Sequence, residues 1–526
     1  MESNQSVNKE PSFWLPLFVL VTGAFAAIMN NSSVNVAIPK LMTIFGVSAN
    51  EIQWVVTAYM LTSAVVIPIT GYLGDRFGNK RVFILSTAVF TIGSILCALS
   101  WDNNSLIAFR VLQAIGGGII MPVSMVIIYK IVPMQKIGLA LGVWGMAAVM
   151  GPAVGPTLGG YILEHSSWRL LFLINVPVCV IGIFLSIQLL KETPVRPNIK
   201  FDYWGFFFAT VGCFTLLLAL SQGSKEGWMS YYIVMLFIIS FFSLLLFVIS
   251  QLNGKDPMLD LRLFKNKTFT LSVIIGGLIN IGLFGGIFLV PIFTQNLMGL
   301  SAYDTGILLL PSALASGFMM PLSGLLFDKF GAKVISFVGI AITAIGTVKL
   351  NYITMDTSTH TIVWIMIVRS IGMGLSMMPL TTVGMNVVAK HLVGRASSLS
   401  NVCRQIFASF GIAIMTFIMQ NRQAFHAARL SDGASYTSPV ASSITGQLQG
   451  LLVASGASTD AATSGAIGII YGLVQKLAMV LAINDTFLIS SFFLFAALPM
   501  VFFLQGKDHA KKKPAPEENP VPEAVK

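Results

Sequence analysis

Two short stretches decide the fold: GYLGDRFGNKR at residues 71–81 and GLLFDKFGAK at residues 324–333. Each begins with a glycine and continues with an aspartate, an adjacent basic residue and a second glycine at the same spacing. A motif that recurs in corresponding parts of an apolar chain indicates an internal duplication, which is common among membrane proteins built from two packed halves. The repeat therefore predicts two related halves.

The composition places the chain in a lipid bilayer. Of its 526 residues, 55% are hydrophobic and 10% are charged, whereas soluble domains have roughly 25% charged residues. Runs such as 13–29, 205–220 and 232–249 approach the roughly 20 residues that cross a bilayer, and such windows predict about fourteen spans. The predicted fold class is an all-α polytopic membrane protein.

The charge distribution predicts the orientation of the chain. An even number of spans puts both termini on one side, and the loops on that side hold most of the Lys and Arg residues. By the positive-inside rule, both termini of this multi-pass protein are then cytoplasmic. The net charge of +11 is explained by this topology and by anionic lipid headgroups. It does not indicate nucleic-acid binding.

The position of the repeated motif after the second span of each half predicts the domain boundaries. They are a cytoplasmic N-terminus at 1–11, an N-terminal six-helix bundle at 12–190, two inserted transmembrane helices with linkers at 191–267, a C-terminal six-helix bundle at 268–505, and a disordered cytoplasmic tail at 506–526. The C-terminal bundle includes a long extracellular loop at 420–484, whose Ser, Thr, Ala and Gly content predicts an exposed, partly helical segment. Within that loop, residues 468–483 are predicted as an interfacial amphipathic helix.

The repeated motif has the chemistry of a hinge at the membrane surface. Its glycines let two helices turn and approach closely, and Asp75 can cap a helix or pair with an arginine. The alternative is an ordinary basic loop, but a second copy at an equivalent place favours a gate. The predicted gating residues are Gly71, Asp75, Arg76, Gly78, Lys80, Arg81, Asp328 and Lys329.

A basic residue interrupts the apolar fourth span. Arg110 shares a helical face with Gln113 and is followed by glycines, including Gly116, and Arg369 has an equivalent place in the second half. An arginine at the bilayer centre costs at least ~2.5 kcal/mol on insertion scales, so it must have partners inside the protein. Two roles remain open: control of a neighbouring group's protonation, or a structural hydrogen-bond network.

The fifth span contains GPAVGPTLGG at residues 151–160. Glycines at four-residue spacing form a stripe without side chains, and the prolines beside them bend the helix, so we predict close helix packing and a pivot. Generic small-residue packing is the alternative. The residues of this motif are Gly151, Pro152, Gly155, Pro156, Gly159 and Gly160.

Polar side chains mark two further places inside spans: NNSSVNVAIP at residues 30–39, and the face formed by Asn401, Arg404 and Gln405. Such groups need partners in a neighbouring helix or in a water-filled cavity. A satisfied packing network and a substrate or proton site both remain open. The cavity candidates are Asn30, Asn31, Ser32, Asn35, Gln53, Tyr59, Asn280, Arg369, Asn401, Arg404 and Gln405.

Signatures of enzymatic chemistry do not stand out in the sequence. The five histidines have no metal-ligand spacing, and we find no catalytic triad, paired carboxylates or phosphate loop. The four cysteines fall inside apolar spans without paired spacing, which is typical of free thiols. We therefore predict no enzyme, no cofactor and no metal.

Taken together, these motifs resemble the major facilitator superfamily, and specifically its fourteen-span drug/proton antiporter family of the EmrB/QacA type. Residues 71–81 resemble its cytoplasmic clasp motif, FRVLQAIGGG at 109–118 its fourth-span arginine motif, and residues 151–160 its antiporter motif. GRASSLSN at 394–401 also resembles the family. The resemblance implies a major facilitator fold with two extra helices, and a monomer that exports small amphipathic compounds in exchange for protons.

One position departs from the family pattern. Many relatives have an aspartate where this chain has Asn30, which cannot titrate, and the NNSS variant is similar to a lincomycin-resistance branch. The acids closest to the spans lie at their predicted ends, at Asp75, Glu164, Asp304, Asp328 and Asp485. Alternatives with the same composition are an exporter of an endogenous lipid or metabolite, and a non-transporting membrane protein or enzyme. The need for a periplasmic adaptor is not indicated by any motif.

Overall fold

The computed structural model describes residues 13–133, 136–254, 256–433 and 439–504, and in these ranges it contains helices and no strands. The predicted N-terminus at 1–11 and C-terminal tail at 506–526 lie outside the described residues. The helices are α1 (Trp14–Phe45), α2 (Ala49–Ile52), α3 (Trp54–Val66), α4 (Thr70–Phe77), α5 (Asn79–Ala98), α6 (Asn103–Ile131), α7 (Ile137–His165), α8 (Leu170–Leu173), α9 (Asn175–Leu189), α10 (Tyr203–Glu226), α11 (Tyr231–Asn253), α12 (Lys267–Ile292), α13 (Ala302–Lys349), α14 (Thr359–Asn386), α15 (Val393–Gly433), α16 (Pro439–Ala454) and α17 (Thr459–Val501).

Within the described ranges, 14 helical stretches are long and apolar enough to cross a membrane. Short helices combine into single spans, as α2, α3 and α4 do over Ala49–Phe77. The long helix α13 contains two spans, which meet at Gly331, where the backbone has a φ of 75°. The predicted all-α polytopic fold is therefore confirmed.

The spans are distributed along the chain as six, two and six. Six lie between Trp14 and Leu189, two are α10 and α11, and six follow from Lys267 onward. Helix α10 packs against α3 on one side, through a cluster that includes Leu61 and Leu217, and against α15 on the other, through Leu220 and Ala413. The two inserted helices therefore touch both halves.

The halves also meet along α7, which packs against α1 in its own half and against α13 in the other half. Close approach depends on glycine. A Cβ atom on Gly142 would lie 2.6 Å from the carbonyl oxygen of Met320, and Gly138 and Gly324 bring the two backbones into contact at the end of the bundle that holds Asp75. At the opposite end, a Cβ on Gly160 would lie 3.1 Å from the side chain of Tyr303.

The segment 420–484, predicted as a partly helical loop, is helical over most of its described length. Helix α15 continues to Gly433, α16 follows, and α17 starts at Thr459, so most of the described part of this segment is helical rather than loop. Residues 468–483 belong to α17, and the prediction of a separate interfacial helix there is wrong. The reason is that no proline precedes Pro499 in α17 and that Gly465, Gly468 and Gly472 keep helical geometry, so the backbone hydrogen bonds continue into the last span.

Tertiary contacts also stabilise this extension. The Nε of Arg422 lies 2.6 Å from Oδ2 of Asp485, and the Nε2 of His426 lies 2.7 Å from the same oxygen. These contacts join α15 to α17 beyond their most apolar parts. Asp485 lies inside the 43-residue helix α17 and not at the start of a helix.

Candidate functional site

The two halves are held together at one end by contacts between α4 and α15. The Nε of Arg395 lies 3.9 Å from Oδ2 of Asp75, and both side chains are largely buried, with exposed fractions of 11% and 16%. The hydroxyl of Thr70 lies 2.7 Å from that of Ser398. A Cβ atom on Gly71 would lie 3.3 Å from the backbone of Arg395. Gly71 and Asp75 therefore form part of a contact between the halves, as a gate requires.

The partner of Asp75 was missed in the sequence. Arg395 lies in GRASSLSN, a stretch that resembled the family but whose arginine was not selected as a site residue. Its neighbour Ser397 donates a hydrogen bond to the carbonyl oxygen of Pro122, 3.2 Å away in α6. Residues 395–398 of α15 thus face the first half at several points, which three-dimensional packing decides and spacing along the chain does not.

The basic residues that follow Asp75 contact Glu192 and Ile199, in the linker that follows the first half. The carboxylate of Glu192 accepts from the backbone N–H groups of Lys80 and Arg81 at 3.1 and 3.3 Å, and it lies 3.6 Å from Nε of Arg81. It satisfies the N-terminus of α5, where a negative charge is favourable. Arg76 donates to the carbonyl oxygen of Ile199 at 2.8 Å. Glu192 was also missed by sequence reasoning.

The turn that separates the two helices is the same in both copies of the motif. Gly78 has a φ of 91° and Gly331 a φ of 75°, in the left-handed region that favours glycine. Lys329, in the second copy, is exposed. The side chain of Asp328 lies outside the described part of the structure.

Arg110 is fully buried and is surrounded by neutral acceptors. Its Nε donates to the carbonyl oxygen of Val55 at 3.1 Å, and its Nη1 donates to Asn30 Oδ1 at 3.0 Å and to Gln113 Oε1 at 2.7 Å. Its Nη2 donates to Asn31 Oδ1 at 3.0 Å. The guanidinium is therefore well satisfied by four hydrogen bonds.

The ring of Tyr59 completes this network, with its centroid 4.1 Å from the guanidinium carbon of Arg110. Such stacking stabilises a desolvated cation. Among the described residues, no carboxylate forms an ion pair with this arginine. Of the two roles left open, the geometry favours the structural hydrogen-bond network.

Arg369 is satisfied in the same manner in the second half. Its Nε donates to the hydroxyl of Thr347 at 3.0 Å, and its Nη2 donates to the carbonyl oxygens of Gly282 and Leu283 at 3.2 and 2.9 Å. It is buried. Like Arg110, it links helices of one half to each other.

The glycine stripe of the fifth span packs against the first span. Cβ atoms on Gly155 and Gly159 would lie 2.7 and 3.1 Å from Ser32 and Ser33 respectively. Pro156 has no N–H to bond the carbonyl oxygen of Pro152, and Ser32 donates to that oxygen at 2.9 Å. Ser32 is therefore a packing residue of the α1–α7 seam.

The remaining candidates do not come together in one site. Asn35 is exposed, and Gln53 is hydrogen bonded to Lys225 of the inserted helix α10. Asn401 donates to the carbonyl oxygen of Ser397 at 2.8 Å, and Gln405 is partly buried.

Asn280 and Arg404 line a cavity between α12, α14 and α15 in the second half. Phe269, Val273, Leu380 and Ser400 are among its other lining residues. Apolar side chains and hydrogen-bonding groups therefore lie side by side in its wall. Among the described residues, no three His, Cys, Asp or Glu side chains come together in a group that could hold a metal ion.

Two helical halves with a polar contact closing one end define a secondary membrane transporter. A model of the Major Facilitator Superfamily matches residues 20–412. The chain belongs to this superfamily, whose members are transporters and not enzymes. This match and the relatives confirm three predictions: the family, the major facilitator fold, and a protein that is a transporter and not an enzyme.

Three curated relatives show where the chain lies in the superfamily. It is 37% identical over 513 residues to the uncharacterized MFS-type transporter YhcA of Bacillus subtilis (strain 168), covering 95% of this chain and 96% of that protein. It is 30% identical to the lincomycin resistance protein LmrB of Listeria innocua, covering 76% and 85%. It is 28% identical to the multidrug export protein EmrB of Escherichia coli (strain K12), covering 92% and 94%.

A solved structure supports the fold. The proton:xylose symporter XylE, bound to 6-bromo-6-deoxy-D-glucose, matches 93% of this chain and 96% of its own, with a TM-score of 0.58 and 13% sequence identity. At this identity the likeness concerns the fold alone.

Proposed function

We propose that the protein exports amphipathic, drug-like compounds in exchange for protons, and that it does so by alternating access. The observation that carries this proposal is the contact between α4 and α15, where Asp75 meets Arg395 at the boundary of the two halves. A contact of this kind closes one end of the molecule and has to break when that end opens. The similarity to a lincomycin resistance protein and a multidrug export protein supports the choice of drug-like substrates.

We assign the binding of the exchanged proton to the carboxylate of Asp75. Antiport needs a titratable group that changes its protonation between the two states. Glu164 and Asp304 are exposed, and Asp485 is held by Arg422 and His426 within the second half. Asp75 is the acid with a described side chain that contacts the other half. Protonation of its carboxylate would remove the attraction to Arg395 and favour opening at this end.

The proposal also includes the orientation and the oligomeric state of the protein. The protein lies in a bacterial plasma membrane with both termini in the cytoplasm and functions as a monomer, with the lipid bilayer, its substrate and protons as its partners. The closed end is then the cytoplasmic one. Export follows when the opposite end releases the compound and the molecule reopens inward.

The test is efflux by purified protein in proteoliposomes with an imposed pH gradient and a panel of cationic, neutral and anionic drugs. We expect drug movement and proton flux to be coupled. Asp75→Asn should reduce export at least roughly fivefold, the effect of about 1 kcal/mol on the balance between open and closed states. Asp304→Asn is the matched control, because it removes an exposed acid at the end of another span.

Three results would change this assignment. Normal export by Asp75→Asn at equal expression would exclude the gating role. Drug movement without proton flux would indicate a uniporter or another coupling ion. Transport of a lipid or metabolite but of no drug in the panel would favour the alternative exporter of an endogenous compound.

A further inference from the structure

Three arginines lie inside the apolar spans, and their surroundings differ. Arg110 and Arg369 donate hydrogen bonds to neutral groups of the protein and are buried. Arg404 lines the cavity between α12, α14 and α15 and is only partly buried. Throughout the described ranges, the guanidinium of Arg404 has neither a hydrogen bond nor an ion pair with another protein group.

A cation in this position must be compensated. Placing an arginine within a span costs at least ~2.5 kcal/mol, and such residues normally pair with acids or backbone carbonyls. No acidic residue is among those that line this cavity. The positive charge of Arg404 can therefore be stabilised by a molecule that enters the cavity, either water or a solute with electron-rich oxygens.

The location suits a substrate. Arg404 follows the start of α15 at Val393 by about 16 Å along the helix, roughly halfway across a ~30 Å hydrocarbon core. Substrate sites of secondary transporters lie near this depth. Ser397, two turns earlier on nearly the same face, contacts Pro122 of the first half, so the face that carries Arg404 is turned towards the boundary between the halves.

The cavity wall contains both apolar and polar groups around Arg404. Phe269, Val273 and Leu380 offer apolar contacts, and the hydroxyl of Ser400 lies one helical turn from Arg404. A guanidinium binds a carboxylate through two parallel hydrogen bonds, which no neutral partner reproduces. The site thus combines one fixed positive charge with apolar side chains.

We infer that Arg404 is the anion-binding residue of the substrate site, and that the compounds this protein moves include amphiphiles with a carboxylate or similar anionic group. The inference rests on the proposed export function. It names the charge of the substrate class, which neither the family nor the relatives assign to this chain.

The test uses three fluorescent probes with the same apolar body: pyrenebutyrate, pyrenebutanol and pyrenebutylamine, which are anionic, neutral and cationic. Equilibrium binding to the purified protein is measured by fluorescence anisotropy in a neutral detergent. We expect the wild type to bind pyrenebutyrate most tightly. Arg404→Gln should remove this preference, with a loss of roughly tenfold or more in affinity for the anion, as for one lost charge-assisted hydrogen bond.

Two further variants make the result specific. Arg404→Lys keeps the charge without the bidentate geometry, so it should retain a smaller preference for the anion even where Arg404→Gln folds poorly. Arg429→Gln removes an exposed arginine from the same helix and should leave binding unchanged. Equal affinity of the wild type for the three probes, binding of none of them, or an unchanged anion preference in Arg404→Gln would overturn the inference.

The same probes separate this inference from the proposed export. Uptake is followed in everted membrane vesicles with an imposed pH gradient. Anion-selective binding that depends on Arg404, without uptake of any probe, would contradict export while supporting the site. Uptake of all three probes with equal efficiency would support export and contradict the anion preference.

Discussion

The side chain of Asn30 accepts one hydrogen bond from a buried cation and donates another to a backbone carbonyl. Its Oδ1 accepts from Arg110 at 3.0 Å, and its Nδ2 donates to the carbonyl oxygen of Leu171 at 3.2 Å. An aspartate could satisfy the arginine but could not donate to the carbonyl while ionised. The amide is therefore suited to a buried position between a cation and a backbone acceptor, and it leaves the charge of Arg110 without a counter-charge.

We expect Asn30→Asp to change the pH dependence of export more than the stability of the protein. A charged acceptor strengthens the bond to Arg110 by about 1–2 kcal/mol. The carbonyl oxygen of Leu171 loses the Asn30 donor but keeps the hydrogen bond from Asn175 Nδ2 at 3.3 Å, a loss of about 0.5–1.5 kcal/mol, so the two effects nearly cancel. The added acid titrates next to Arg110, however. Export measured across a pH series should change its profile.

Asn35→Asp is the control for this experiment, because Asn35 is exposed on the same helix. Its profile should match that of the wild type. If both variants give the wild-type profile, the network around Arg110 has no influence on the pH dependence of transport.

Helix α7 has two different glycine surfaces, and they serve two different contacts. Gly151, Gly155 and Gly159 face α1, while Gly138 and Gly142 approach α13 across the boundary between the halves. The first contact lies within a rigid half and the second between halves that must move relative to each other. A four-residue spacing of glycines predicts close packing, but it does not show which neighbour each face meets.

Gly155→Ala should destabilise the α1–α7 seam. The added Cβ would lie 2.7 Å from Cβ of Ser32 and 3.0 Å from the carbonyl oxygen of Met29. Backbone cannot yield as easily as a flexible side chain, so we expect a loss of about 1–3 kcal/mol, the usual range for an overpacked core. Thermal unfolding in detergent measures the change.

Gly182→Ala provides the comparison, since no heavy atom lies within 4 Å of the Cβ it would add to α9. Because alanine has the higher helix propensity, this variant should unfold at the same temperature as the wild type or slightly above it. An equal loss of stability in both variants would show that the α1–α7 contact is not the cause.

Across the whole protein, alternating access requires that some contacts between the halves persist while others open. The α7–α13 contact includes residues at both ends of the bundle, whereas the α4–α15 contact lies at the Asp75 end. The inserted helix α10 touches both halves. We therefore propose that the α4–α15 contact opens and that the α7–α13 seam is where the halves pivot.

A disulfide across the α4–α15 contact should stop transport. Thr70 and Ser398 have hydroxyl oxygens 2.7 Å apart, close enough for cysteines at both positions to bridge after small adjustments. In a background that lacks the native cysteines, oxidised Thr70→Cys/Ser398→Cys should lose at least roughly nine-tenths of its export, because one closed state is then fixed. A reductant should restore it.

The matched control is Asn79→Cys/Thr193→Cys. These side chains are hydrogen bonded at 2.8 Å, but they join α5 to the linker after α9 and do not connect the halves. Oxidation of this pair should leave export intact. Full export by the oxidised Thr70→Cys/Ser398→Cys protein would show that the α4–α15 contact need not open.

Several features could be predicted because they depend on local sequence. A span is defined by the length of an apolar run, and the two motif glycines by a backbone conformation that other residues rarely adopt. For the same reason the duplication was visible in GYLGDRFGNKR and GLLFDKFGAK. The segment 420–484 is more helical than its Ser, Thr, Ala and Gly content indicates, because contacts such as Arg422–Asp485 between α15 and α17 support the longer helices.

The membrane class, the helical fold, the repeated motif and the arginines inside the spans could all be read from the amino-acid sequence. The surroundings of the charged residues depend on how the helices pack: Arg395 lies beside Asp75, neutral amides surround Arg110, and a cavity adjoins Arg404. The physical reason is that hydrophobicity and backbone preference act over neighbouring residues. Compensation of a buried charge, in contrast, depends on groups that are far apart in the chain and meet only when the helices pack.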